Sequence, residues 1–466
     1  MTTDTDLIFQ PFGARNFQAK NRLFRSSISG RIDNYDGSGT QARINFERRF
    51  ASGGVGTIIS SHVPVHIRGR ILPNYATIDR DERIPFWRET ARQVREAGRS
   101  VDQQDCKFIL QLSHSGHQQD IGGIENQGQP ALSSTNRREA FHGIPSQAMT
   151  QTQIREIVEQ FAQGARRARE AGVDGIELHG GNGYLFSQFL SSAINDRRDE
   201  YGGSLNNRFR LMKEVIEAIR GQVGADFFLM VKFSPVDYAN YALTFPWRRG
   251  EGNTLEEGVK LAQMIEQAGA DALHISTGSQ FPHPFNPLGP FPVAEASRTY
   301  QSMIASGKFV FTKFLFFRYG LLQPLGRWIW SRSLYPRGVL DQHEQAIPAK
   351  VEGFLASQAQ TIKAQVKIPV IVTGGFQTVG GIASVLRNGA ADGVSIARSL
   401  LANPDLPDYL RRGTAPPKPC TYCNKCLLNV LEHPLACYEL SRFRDYEEMM
   451  AEAMAIFTDE TGEAAL

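Results

Sequence analysis

Eight short apolar runs recur along the chain, most of them followed by a stretch with helical spacing, and no other feature limits the fold as tightly. In order they are Leu23–Ser29, Val55–Ser60, Phe108–Leu112, Gly175–His179, Phe228–Phe233, Ala272–Ser276, Pro369–Thr373 and Gly393–Ala397. Near-continuous apolar strands that alternate with helices predict a parallel sheet covered on both faces. Between them, Thr152–Ala171 places Ile154, Ile157, Val158, Phe161, Ala165 and Ala168 on one helical face. Asn206–Arg220 and Thr254–Ala268 carry similar spacing. Eight such units predict an α/β fold of the (β/α)8 TIM barrel type. A doubly wound sheet usually needs fewer strands, and its Gly-x-Gly-x-x-Gly fingerprint is absent after any of these runs.

At 466 residues the chain suits one large domain with additions or two domains. Hydrophobic residues make up 41% and charged residues 21%, an ordinary balance for a soluble globular protein. A net charge of +3 over this length argues against a nucleic-acid partner. The opening MTTDTDLIFQPF has neither a basic n-region nor an apolar core, and no stretch reaches the roughly 18 uninterrupted apolar residues of a membrane span. Cys106 stands alone, whereas Cys420, Cys423, Cys426 and Cys437 crowd together. Without a secretory signal, that pattern predicts a cytoplasmic setting and a local thiol site, not a disulfide scaffold.

The segment HGGNGYLFSQFLSSAINDRRDEYGG, His179 to Gly203, begins where the fourth predicted strand ends. Active sites of such barrels lie on the loops that follow the strands. His179, Asn182 and Tyr184 bring three hydrogen-bonding side chains to that loop, among glycines that let a ligand approach the backbone.

The stretch AGVDGIELHGGNGYLFSQFLSSAINDRRDEYGGSLNNRFR closely resembles the signature of the old yellow enzyme family of FMN-dependent oxidoreductases. LIFQPFGARNFQAKNRLFRSS resembles that family's opening strand, FILQLSHSGH its third, and IPVIVTGGF with ADGVSIARSLLANPDL its last two. The resemblance implies a barrel holding FMN at its C-terminal mouth, NAD(P)H as reductant, and a small-molecule substrate with an activated C=C bond. His179 and Asn182 then match the pair that hydrogen-bonds the activating carbonyl, and Tyr184 matches the proton donor to the α-carbon. Asn195, Arg197, Asp199 and Tyr201 match a segment that pins this loop, with Arg198 where a threonine is usual.

For the cofactor, Gln111 matches the glutamine that bonds the flavin ring, and Lys232 stands where an arginine is usual near the flavin N1–C2=O edge. A lysine keeps the charge there but loses the fork of donors. Ser26, Ser27 and Ser29 match the first-strand backbone beside the ring, Ser27 replacing a proline. Gly374, Gly375, Gly393 and Arg398 form the expected phosphate cup.

Two regions depart from this pattern. Thr277–Ile368 is far longer than one loop and helix require, and 308–338 reads KFVFTKFLFFRYGLLQPLGRWIWSRSLYPRG, aromatic and basic without an acidic residue. Three readings stay open for it: peripheral contact of 308–337 with the inner face of a membrane, a lid or homo-oligomer contact, or plain packing. Gln342–Gln365 reads as the sixth barrel helix. The cysteines are spaced C-x2-C-x2-C-x10-C, one residue shorter in two gaps than the 4Fe–4S motif of the dienoyl-CoA reductase branch. Cluster, zinc and metal-free thiols all remain open. The residues after Cys437 carry no second nucleotide-binding pattern, so a cluster would lack its usual donor within this sequence. The domain reading is a barrel over 1–410, interrupted at about 280–340, and a cysteine-containing extension over 411–466.

These observations lead to an FMN- and NAD(P)H-dependent reductase of activated alkenes. The alternatives are a dienoyl-CoA reductase-like protein fed by a partner through the cysteines, and a membrane-attached binding protein without turnover.

Overall fold

The computed structural model describes residues 3–28, 30–119, 129–139, 144–237, 252–278, 285–292, 294–295, 319–328, 338–343, 345–430 and 432–458. Ser29 lies outside the described residues, as does 308–337 apart from 319–328.

Eight parallel strands close into a barrel. They are β1 (Leu23–Arg25), β2 (Thr57–Pro64), β3 (Lys107–Ser113), β4 (Gly175–Gly180), β5 (Phe228–Phe233), β6 (Ala272–Ile275), β7 (Val370–Thr373) and β8 (Gly393–Ile396). Each pairs with its sequence neighbour, and β8 returns to β1. All eight correspond to the apolar runs of the sequence. The first strand stops before the expected serines, and β2 continues beyond Ser60 through a register shift between Ile59 and His62.

Between the strands run α1 (Gln41–Ser52), α2 (Ile84–Asp102), α3 (Gln151–Glu170), α4 (Leu205–Val223) and α5 (Leu255–Ala268). Local chemistry sets where these helices begin. The Thr150 hydroxyl accepts from the Gln153 N–H while the Gln153 side chain returns to the Thr150 N–H, and Thr254 with Glu257 repeats the arrangement. Buried faces follow: Ile154, Ile157, Phe161, Ala165 and Ala168 all point inward.

The expected single helix over Gln342–Gln365 is absent. Two short helices, Pro348–Val351 and α6 (Ala356–Lys363), take its place. Gly353 between them has φ +72°, and its N–H donates to the Gly374 carbonyl at 2.7 Å. That left-handed turn ends the first helix and ties the connection to the loop after β7. After α7 (Val379–Arg387) and β8, the chain continues through α8 (Arg398–Ala402) and α9 (Leu406–Arg411) into the cysteine segment.

The two ends of the barrel interior differ. A hairpin, Phe12–Ala14 with Phe17–Ala19, seals the N-terminal end, where Phe12, Phe17, Phe24, Phe228 and Met230 form one cluster. Phe17 stacks on Phe228 with ring centroids 4.2 Å apart. Toward the other end the inward positions turn polar: Gln111, Glu177, His179, Lys232 and His274 are all buried. No helix among the described residues is long and apolar enough to cross a membrane.

Candidate active site

The C-terminal mouth opens into a cavity of about 300 Å³. Ser26, Ser27, Gln111, His179, Asn182, Tyr184, Lys232, Gly374, Gly375 and Arg398 all line it, drawn from six strand ends that are distant in sequence. Gly393 does not line it; a side chain there would run into the Phe24 ring at 2.9 Å, so this glycine serves the packing of β8 on β1.

His179 ends the inward face of β4. Its Nδ1 accepts from the Gly181 N–H at 3.3 Å, which leaves Nε2–H as a donor. Burial, reinforced by Lys232 and His62, holds the imidazole pKa well below its ordinary value, so the ring is neutral. Asn182 follows at φ +58°, a conformation asparagine tolerates. Its Oδ1 accepts from Asn286 Nδ2 at 2.9 Å and from Ser276 Oγ at 3.4 Å. The Asn182 NH₂ group is thereby turned away from these partners. Tyr184 is packed edge-on to His179, with ring centroids 4.7 Å apart, and to His62 at 5.1 Å. Burial raises the phenol pKa, with Tyr75 adding to it, so Tyr184 keeps its proton throughout the neutral range.

The charged run after this loop is scaffold. Asn195 Nδ2 donates to the carbonyls of Phe189 and Tyr201 at 2.7 and 2.8 Å, Arg197 pairs with Asp199 and reaches the Met149 carbonyl, and Tyr201 donates to Glu214.

Residues at the ring end of the cavity suit a flavin. Gln111 Oε1 accepts from Ser27 Oγ at 2.7 Å, and its Nε2 donates to Glu177. One N–H and one lone pair remain on that amide for a ligand, matching the alternating edge of a pyrimidine ring. Lys232 is the last residue but one of β5; burial lowers its pKa and Glu177 opposes the shift. At the opposite end, Gly375 adopts φ +67° in the loop after β7, where a side chain would meet Val351 at 2.7 Å. Gly374, Gly375 and Ser399 leave room for an anion there. Arg398 is shared: its guanidinium donates to Asn424 Oδ1 and lies 5.1 Å over the Tyr422 ring.

A second, smaller cavity of about 20 Å³ adjoins this end, and all four C-terminal cysteines line it. Burial is the leading cause that raises the Cys420, Cys423 and Cys426 thiol pKa values, Cys423 to about 12. Cys420 is anchored to the barrel by Gln377, which accepts from its N–H at 3.1 Å and donates to its carbonyl at 3.3 Å. Among the described residues no three His, Cys, Asp or Glu side chains converge on a point that would hold one metal ion.

The resemblance did not lead to Glu177, His274, His62 or Asn286. The first two are polar residues at inward positions of apolar runs, visible only in the alternation of GIELHG and ALHIS. His62 lies two residues past the expected strand end, and Asn286 in the unusual connection after β6.

A closed flavin-sized barrel with these donors defines a flavin-dependent oxidoreductase. Residues 7–275 match the model of the NADH:flavin oxidoreductase / NADH oxidase family, and the chain belongs to that family, whose members use FMN and NAD(P)H. Residues 356–466 also match a model described as dihydrouridine synthase. The chain is 30% identical to an NADH oxidase of Thermoanaerobacter brockii over 88% of its own length and 51% of that protein's. It is 34% identical to an NADPH dehydrogenase of Halalkalibacterium halodurans over 64% of its own length and 82% of that protein's. The chain thus spans about half the length of the first relative. An old yellow enzyme homologue from Zymomonas mobilis shares the fold, with a TM-score of 0.60 and 21% identity over 89% of this chain and 99% of that one.

Proposed function

We propose that the protein reduces the activated C=C bond of a small carbonyl compound, drawing on NAD(P)H through FMN. The observation that carries this reading is the trio on the β4 loop: a protonated Tyr184 beside two neutral donors, His179 and Asn182. FMN bound in the cavity supplies hydride transfer in both directions. His179 Nε2–H and the Asn182 NH₂ group polarise the substrate carbonyl and stabilise the negative charge that develops on its oxygen. Tyr184 Oη–H delivers the proton to the α-carbon. Gln111, Ser27 and Lys232 would hold the ring, and Gly374, Gly375 and Arg398 the phosphate.

The test is an anaerobic spectrum followed by two half-reactions in sequence. Flavin absorption, bleaching by NAD(P)H and recovery on adding a cyclic enone are expected. No flavin after reconstitution with FMN, or bleaching without enone-driven recovery, overturns the reading.

The cysteine cavity supports a second reading, in which Cys420, Cys423, Cys426 and Cys437 hold a 4Fe–4S cluster and a partner supplies electrons. Iron and acid-labile sulfide measured on the same anaerobic sample decide it: about four of each per chain is expected, and their absence after anaerobic reconstitution removes it. A peripheral contact between 308–337 and a membrane face also belongs to the proposal. Its support within the described residues is the exposure of Tyr319, Leu321, Leu322, Leu325 and Trp328.

A further inference from the structure

Directly below the large cavity, the barrel interior carries a continuous polar chain in which Glu177, His274 and Thr373 have no role so far. Ser27 Oγ donates to Gln111 Oε1 at 2.7 Å, and Gln111 Nε2 donates to one oxygen of Glu177. The other Glu177 oxygen lies 2.6 Å from His274 Nδ1, and His274 Nε2 lies 2.7 Å from Thr373 Oγ1. Gln111, Glu177 and His274 are each 0% exposed. The chain crosses the barrel from the end of β1 through β3, β4 and β6 to β7, so it touches both walls of the flavin cavity. Its two ends, Ser27 and Thr373, line that cavity; Glu177 and His274 sit behind them.

The donor count fixes every orientation. A carboxylate only accepts, so Gln111 has to present its NH₂ to Glu177 and its carbonyl to Ser27. Burial lowers the His274 pKa, although Glu177 pulls the other way, and the ring is neutral. Its single proton then sits on Nδ1 toward the carboxylate, and Thr373 donates to Nε2. Flipping the Gln111 amide would set two acceptors against each other between side chains that are both 0% exposed, a cost of several kcal/mol by the usual scale of buried unpaired polar groups.

Charge follows the same layout. Lys232 is in register with His179 on β4 and with His274 on β6, and it is 4% exposed. Glu177 is the anion that favours its charged form. The cation lines the cavity and the anion lies one layer deeper, so the pair presents a net positive face to whatever occupies the ring site.

Resting on the FMN reading, we propose that Glu177 is a positioning residue of the flavin site: it locks the donor–acceptor order of Gln111 and balances the charge of Lys232, and so sets how much more tightly the site binds reduced than oxidised FMN. His274 and Thr373 act through it by occupying its second oxygen.

The test is the flavin midpoint potential together with the FMN dissociation constant, measured on the wild type, Glu177→Gln, Lys232→Met and the double variant, with thermal melting as a check on folding. Glu177→Gln removes the carboxylate that fixes the Gln111 amide and the anion that favours the charged form of Lys232, so the oriented donor and part of the positive face are lost. The preference for reduced over oxidised FMN should fall about tenfold, a potential lower by about 30 mV for a two-electron couple. Lys232→Met should give the same shift, and the double variant little more, because both remove one device. An unchanged potential in Glu177→Gln overturns the proposal. So does a raised one, which is what simple removal of an anion would produce, and so does full additivity in the double variant. If Glu177→Gln does not fold, Thr373→Val strips one hydrogen bond from His274 at constant shape and should lower the potential in the same direction by a smaller step; no shift there overturns the proposal too. A wild-type protein that binds no FMN instead fails the cofactor reading, whereas normal FMN chemistry with unshifted variants fails this inference alone.

Discussion

The two cavities share a wall but are built on opposite plans. Arg398, Leu401, Tyr422 and Cys426 face both. In the large cavity the polar groups arrive already paired on their outer sides, so that what points inward is a set of oriented, neutral donors: His179 held by Gly181, Asn182 by Asn286, Gln111 by Ser27 and Glu177. It has about 300 Å³ for an organic ligand. The small cavity has about 20 Å³, and its lining includes all four C-terminal cysteines with Arg398 and Arg442 beside them. Pre-orientation suits a site that must stabilise charge at one carbonyl oxygen. In the small cavity the Cys420 sulfur accepts from the Tyr422 N–H at 3.4 Å, so this group is an acceptor and not an oriented donor. Under the proposed function, substrate chemistry falls to the first and, at most, electron supply to the second.

The largest expected effect separates those assignments. Tyr184→Phe should slow alkene-driven flavin reoxidation by at least about 10²-fold, the lower end for loss of a placed general acid. Reduction by NAD(P)H, which needs no proton from this phenol, should change little. Stopped-flow measurement of each half-reaction checks this, and equal slowing of both would take Tyr184 out of the acid role. Iron content should be the same in wild type and variant, because the phenol lines only the large cavity.

What the sequence reveals of this plan depends on which face of a strand a residue occupies. The eight strands were legible because outward and inward apolar residues together make near-continuous runs, as in Phe228–Phe233. His179, Asn182, Tyr184, Gln111 and Lys232 were legible because they stand in motifs at strand ends. Glu177 and His274 were not, since a polar residue inside an apolar run reads as a blemish until the closed barrel brings it opposite a partner across the interior, 97 residues away in the chain. Gly393 was misread for the converse reason: a glycine in a resembling motif looks like a phosphate contact, but here Phe24 fills the space beside it. The helix expected over Gln342–Gln365 failed at Gly353, whose turn is dictated by a contact with Gly374.

Acid should destabilise the fold through two buried histidines. His62 and His114 are fully buried, and burial depresses both pKa values from 6.5 to about 3. Their folded-state pKa lies below the unfolded one, so the unfolded chain binds the extra protons and stability rises with pH between these limits. The contribution is complete above 6.5 and is lost progressively as pH falls toward about 3. At about pH 5 each histidine should cost about 2 kcal/mol relative to neutral pH. Denaturant titrations at both pH values test this, with His62→Gln expected to flatten the dependence. Equal pH dependence in that variant would mean that other groups carry the acid sensitivity.

The smallest expected effect probes whether orientation of a neutral donor matters at all. Asn286 donates to Asn182 Oδ1, so Asn182 offers a ligand its NH₂ group and not its carbonyl. Asn286→Ala weakens that bias, and Ser276, at 3.4 Å, still holds the same oxygen. The affinity for a phenolate bound over the flavin should drop roughly five-fold, about 1 kcal/mol, the usual scale of one neutral hydrogen bond. Asn286→Asp is the sharper variant, because the new carboxylate cannot donate to Oδ1 and draws the Asn182 NH₂ toward itself. The amide carbonyl then faces the phenolate, and affinity should fall further than in the alanine variant, with FMN affinity unaffected in both. Equal losses in the two variants would mean that Asn286 only fills space, and that the large cavity owes its selectivity to shape and to His179 instead of to an amide held in one orientation.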